Sequence, residues 1–204
     1  MPVSPFQAAI DVLDRADALL TLDSGSGSVL DADLRRQALV MGVAGLDTWM
    51  HWKIHRVPLD ALSQNLAEIA VPFANLVEMG ERSVEARKQG VRDRPMVRAR
   101  NALHAQLLRI TFQSARDWQR GFNLLGVRSG FTAVGAAMVP SEAKADIESR
   151  LNQLSHRRNQ VVHEGDLMRQ AKPRAIRHND LEAAKVADDL LWIRRFLTAV
   201  DSMV

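Results

Sequence analysis

The segment ALVMGVAGLDTWMHW, residues 38–52, is apolar on nearly every face when wound as an α-helix. A surface helix shows one apolar stripe, whereas a helix like this one must be covered from several sides. It lies within a helix expected from about 31 to 56, with Asp31 or Asp33 placed to cap it. Such a helix belongs at the centre of a bundle, and Gly42 and Gly45 would let a neighbour approach closely. The rest of the chain supplies the covering. Helical spacing recurs almost everywhere, and no clear alternating strand is seen.

Ser4 and Pro5 open a first helix over roughly 4–22, with Ala9, Val12, Leu13, Ala16, Leu19 and Leu20 at three- and four-residue spacing. The run SGSGS at 24–28 breaks it. A third helix starts at Pro58 and ends before Pro72. Residues 71–97, with Gly80, Gly90 and Pro95, are less regular and charged. A helix follows at about 98–119, then a loop at 121–131 holding a short helical turn. Ser141 caps the next helix, whose buried stripe is Ile147, Leu151 and Leu154. Residues 164–177 form a connector. Asn179 and Glu182 then make an N-cap and third-residue pair for the last helix. Its buried face is expected to hold Leu181, Ala184, Ala187, Leu191, Ile193, Leu197 and Val200.

The expectation is therefore an all-α bundle of about five main helices in one domain, 1–204, with irregular insertions at 71–97 and 121–139. A chain of 204 residues is long enough for one domain with a real core. Aromatic residues are only 5% and tyrosine is absent, so Ala and Leu are expected to carry that core.

Composition also removes whole classes of chemistry. With no cysteine there is no disulfide, thiolate nucleophile or Cys-based zinc site. The lack of cysteine fits a reducing cytoplasm. The longest apolar run, Ala38 to Leu46, is too short to span a bilayer. The N-terminal run lacks a basic start and a small-residue cleavage site, so no signal peptide is expected. No phosphate-binding Gly-rich loop, nucleophile elbow or His-Glu-x-x-His is present. A net charge of +3 permits polyanion binding without requiring it.

The stretch carrying a chemical signal is SHRRNQVVHEGDL, residues 155–167. It places arginine, asparagine and histidine where a helix is about to stop. On an ideal helix Arg158 and His163 point about 140° apart, whereas Asn159 and His163 share a face. The chain must then leave helical geometry near Val161–His163, or the two side chains must meet through a second copy. Metal-free RNA cleavage needs a base for the 2′-OH, an acid for the leaving 5′-oxygen and a cation for the phosphate. Histidine serves as acid or base near neutral pH, and arginine binds two phosphate oxygens at once. A two-fold dimer would bring two histidines and two arginines to one cleft. The plainer alternative is a helix end whose Arg-Asn pair bonds terminal carbonyls, followed by a turn histidine.

Arg158-Asn159-Gln160-Val161-Val162-His163 resembles the signature of the HEPN superfamily: arginine, a polar residue, then histidine after four to six intervening residues. The segment RRQALVMGVAGLDTWMHWKIHR, 35–56, looks like that family's second helix, with Asp47 at its acidic position. RRNQVVHEGDL looks like the RiboL-PSP-HEPN-type subgroup, where glutamate and glycine often follow the histidine. The matching segments cover roughly a quarter of the chain. The resemblance implies a HEPN-like all-α fold, a homodimer and a cofactor-free, metal-independent endoribonuclease. Members often act as toxins of toxin–antitoxin or antiphage-defence systems, silenced by a partner such as a nucleotidyltransferase-like antitoxin. Others are non-catalytic modules that bind RNA, nucleotide or a protein partner.

On that reading Arg158 steadies the phosphate, His163 moves protons, and Asn159 and Asp47 orient them, with Asp47 locking Arg158 in place. Arg157 also lies within the family's spacing; the adjacent Asn159 favours Arg158 and leaves Arg157 as a substrate contact or surface charge. A solvent-facing Asp47 is the alternative to a buried, paired one. His51 and His55 stand at a metal-ligand spacing, but no third ligand is near in sequence and no metal is expected. Interfacial histidines beside Trp49 and Trp52 are the simpler account, and His51 could line the cleft. Basic residues gather at 87–100, including Arg94 and Arg98, and again at Arg169, Lys172, Arg174 and Arg177. These could grip an RNA backbone or form a solvated surface. No aromatics interleave with them, so base stacking there would be weak.

Overall fold

The computed structural model describes residues 2–59, 65, 69–92, 94–169, 171 and 174–204. Among these the fold is all-α, with eight helices and no strand; one isolated antiparallel bridge joins Leu167 and His178. The helices are α1 (Pro5–Thr21), α2 (Val29–Arg56), α3 (Phe73–Lys88), α4 (Pro95–Leu107), α5 (Ala115–Leu124), α6 (Gly130–Ala137), α7 (Lys144–Glu164) and α8 (Ala183–Met203). No helix among the described residues is long and apolar enough to cross a membrane.

The 28-residue α2 is the central element, about 42 Å long. It packs against α1, α4, α5, α7 and α8, which is why it carries almost no polar stripe. Both glycines serve close approach. A methyl on Gly42 would collide with the Leu190 side chain of α8, and one on Gly45 would press on Leu13 of α1. Ser28 is the N-cap of α2, and Asp31 is the third residue of its capping box. The Asp31 carboxylate also accepts from the Ser24 N–H and from the Ser24 and Ser26 hydroxyls, tying down the SGSGS loop.

Ala and Leu supply much of the buried core, as expected, and most of the few aromatic residues are buried among them. Trp49 of α2 stacks on Trp118 of α5 with ring centroids 5.8 Å apart, and Trp118 meets Phe196 of α8 edge-on at 4.7 Å. Phe122 continues the seam to Phe131 of α6. One ring buries as much area as several alanines, so a handful suffices.

Several boundaries differ from expectation. The helix expected from Pro58 falls mostly on 60–64 and 66–68, outside the described residues. The stretch 71–97 contains α3 and the start of α4, which pack on each other as a hairpin. The helix expected over 98–119 is two helices. Phe112 is fully buried between them, and its N–H is taken by a side chain rather than by a helical carbonyl. Ser114 and Asp117 then form a capping box that starts α5, a sequence signal that went unread. Residues 121–139 are largely helical, as the end of α5 and as α6. Ala143, not Ser141, precedes α7, and Glu182, not Asn179, precedes α8.

The buried face of α8 is Val186, Leu190, Trp192, Ile193, Phe196, Leu197 and Val200. Ala184, Ala187 and Leu191 are exposed. Alanine fits either face of a helix, so it misplaced the stripe in the first two turns; the larger Val186, Leu190 and Trp192 decide it.

Candidate functional site

The stretch from Arg157 to His163 lies on the last two turns of α7. Ile147, Leu151 and Leu154 bury the earlier part of that helix against the core. The helix does not break near Val161. It continues through His163 to Glu164 and stops at Gly165, whose φ of 60° is the left-handed stop that glycine accepts without strain. Asp166 follows with φ 58°, and its N–H closes back on the Gln160 carbonyl at 2.9 Å.

Asp166 is the residue that fixes this end of the helix, and it was not singled out from sequence. Its side chain is fully buried and meets two arginines: Arg36 of α2, at 2.7 Å, and Arg157, which engages both carboxylate oxygens. Asn179 donates to Asp166 Oδ1 at 3.2 Å and receives the chain's return with a backbone bond to the Asp166 carbonyl. This is why Asn179 does not cap α8. Burial drives the Asp166 carboxyl up, but Arg157, Arg36 and Asn179 outweigh that and hold it below its ordinary range. The clamp ties α7, α2 and the 164–182 connector together at one point.

With Arg157 spent on Asp166, the two neighbouring arginines have separate jobs. Arg158 is half-buried, while Asn159 and His163 are exposed. Arg158 Nη1 donates to Asn159 Oδ1 at 3.0 Å and lies 3.4 Å from His163 Nε2. The pair therefore meets within one chain on an unbroken helix. The long arginine stem carries its head around the helix surface, and Asn159 steers it. Neither a break nor a second copy is needed for this contact. Arginine has no acceptor, so the contact is a hydrogen bond only when the imidazole proton sits on Nδ1 and Nε2 offers its lone pair. Both hydrogens of Nη1 then have partners. Among the described residues Nε and Nη2 make no hydrogen bond, leaving one edge of the fork for an oxyanion.

Asp47 is elsewhere. Its carboxylate accepts from the Phe112 N–H at 2.6 Å and from Gln113 Nε2 at 3.1 Å, and it lies 3.3 Å from His51 Nε2. Burial raises its carboxyl, and His51, Phe112 and Gln113 together pull it below its ordinary value. The expectation that Asp47 locks Arg158 is corrected: Asp47 closes the α4–α5 connection onto α2. It sits eleven residues along α2 from Arg36, which is about 16 Å of helix rise. His51 accompanies it, edge-on to Phe112 with ring centroids 5.1 Å apart.

The other candidates are also dispersed. His55 faces His104 of α4, ring centroids 4.9 Å apart, so His51 and His55 do not converge on a common point. Among the described residues no group of three His, Asp or Glu side chains is placed to hold a metal ion. Arg98 donates to Ser83 Oγ within the α3–α4 hairpin, where it is partly buried. Arg94 precedes α4 and Arg174 lies in the connector, both exposed. The structure thus brings together Arg158, Asn159 and His163, sets Arg157 beneath them as a support, and leaves Asp47, His51, Arg94, Arg98 and Arg174 out of the cluster.

An exposed imidazole beside a guanidinium with an open edge can bind a phosphodiester and move one proton. No protein-family model, no curated protein and no solved structure matches this chain.

Proposed function

We propose that the protein is a metal-independent endoribonuclease of the HEPN type, built on a HEPN-like bundle and acting as a homodimer. The observation that carries this reading is the contact of Arg158 with His163 on the exposed end of α7, while Arg157 is withdrawn into the Asp166 clamp. The free edge of Arg158 grips two phosphate oxygens. The 2′-OH displaces Arg158 Nη1 from His163 Nε2, which then takes its proton as the 2′-oxygen attacks phosphorus. The P–O5′ bond breaks, leaving a 2′,3′-cyclic phosphate and a 5′-oxygen that must gain a proton. Within the cluster one chain has a single imidazole, so the acid is the partner subunit's His163. Exposed Val162, Leu167 and Met168 beside the motif give a second copy apolar surface to cover. The toxin or antiphage-defence role, and silencing by a nucleotidyltransferase-like antitoxin, follow from the resemblance alone.

The test is product chemistry. Purified protein, with EDTA present, is given an RNA carrying one 2′-deoxy nucleotide at a cleavage position. The reading requires cyclic-phosphate ends elsewhere and no cut at the modified position. Cleavage there, or 5′-phosphate products, would rule it out.

A further inference from the structure

We infer that the groove between α5 and α7 is the track that holds single-stranded RNA as it leads to the Arg158–His163 pair. This rests on the nuclease reading for what happens at the end of the track, but the binding claim stands on its own residues. The groove encloses about 1020 Å³ and is lined by Arg116, Gln119, Arg120 and Asn123 of α5 and by Glu148 and Asn152 of α7.

Three observations join it to the motif. First, position: by 100° steps Asn152, Asn159 and His163 fall within about 40° of one another on α7. Asn152 is seven residues, about 10 Å, before Asn159. Second, anchoring: Asn152 Oδ1 accepts the Ala115 N–H at 3.1 Å, so the start of α5 is pinned at the end of the groove nearer the motif. Third, chemistry: Arg116 is exposed and makes no ion pair among the described residues, while Gln119 Nε2 donates to Asn123 Oδ1 at 3.0 Å and leaves Gln119 Oε1, with the side-chain NH2 groups of Asn123 and Asn152, to meet base edges and riboses. The acids nearby have other engagements. Asp117 belongs to the capping box of α5, and Glu148 lies 3.6 Å from Lys144. The wall continues past Gly126 to exposed Arg128 and Ser129, which line an adjoining pocket with Gln119 and Asn123. No large aromatic side chain faces either hollow, so the grip is on phosphates and polar edges, with little stacking.

The experiment measures binding of a fluorescent oligoribonucleotide of about twelve residues by anisotropy. Every protein carries His163→Ala, so that cleavage does not interfere. Adding Arg116→Glu should weaken binding about tenfold and lower the salt slope by about 0.7; adding Asn123→Asp as well should weaken it further. Arg15→Glu, an exposed α1 arginine with the same charge change, controls for overall charge. Equal loss with Arg15→Glu, or no loss with Arg116→Glu in protein of unchanged circular dichroism, overturns the groove. Wild-type protein that cuts no RNA while binding still depends on Arg116 overturns the nuclease reading and leaves the groove standing.

Discussion

Replacing Asp166 by asparagine tests the support beneath the motif. Asparagine fills the same volume, so no cavity forms. What is lost is a fully buried negative charge facing Arg36 and Arg157. Breaking a buried pair from one side costs about 3–5 kcal/mol, because the partner charge stays desolvated. Here the arginine side chains keep 12% and 20% exposure, so both can turn partly toward water and the lower end applies. We expect Asp166→Asn to lose about 3 kcal/mol in urea at pH 7, and to melt about 6–12 °C lower for a chain of this size. The sign with pH follows from the lowered Asp166 carboxyl. Its stabilisation is complete above the unfolded carboxylate value and disappears as pH falls through the lower folded value. The gap between wild type and variant should therefore close as the solution is acidified below about pH 4. A variant as stable as wild type at pH 7, or a gap that widens in acid, would refute the clamp.

Four further outcomes are expected. Arg157→Ala should cost about 2 kcal/mol of stability whereas Arg158→Ala stays within about 0.5; urea titration separates neighbours that sequence spacing could not. Gly42→Ala should lose about 1–3 kcal/mol through overpacking against Leu190, read by thermal melting. Asp47→Asn should lose about 1–2 kcal/mol by weakening the bond from the Phe112 N–H, and its cost should appear in unfolding rather than in RNA affinity. Burial, then His104, Arg100 and Arg56, push the His55 imidazole below its ordinary value. That contribution is full above the unfolded histidine value and is lost as pH falls below it, so the drop in melting temperature from pH 8 to about 5.5 should shrink in His55→Gln.

How far the sequence carries can be seen residue by residue. The role of α2 was legible because an all-round apolar helix has only one place in a bundle, and both glycines were read for what they do. The α1 boundaries were legible from Ser4, Pro5 and the apolar spacing. The Arg158–Asn159–His163 cluster was legible as a spacing, but its geometry was not. An ideal-helix angle places Cα–Cβ directions, whereas Arg158 acts through a head several bonds away. Asp47 illustrates a different limit. A polar residue in an apolar helix announces a buried partner; His51, one turn along, was readable as a neighbour, but the Phe112 backbone amide and the Gln113 side chain come from a distant connection that no local side-chain pattern reveals. Asp166 was missed because its partners lie 130 residues away at Arg36 and across the helix stop at Arg157. Gly165 and Asp166 read only as part of the 164–177 connector, although a fully buried aspartate there requires cations from elsewhere in the chain.

The most direct measurement is the rate of RNA cleavage in EDTA by wild type, His163→Ala and Arg158→Ala, each normalised to folded protein. The account predicts cleavage by wild type and a loss of at least about 100-fold in both variants while their melting temperatures hold. Equal rates in all three proteins, or no cleavage by any of them, would contradict it.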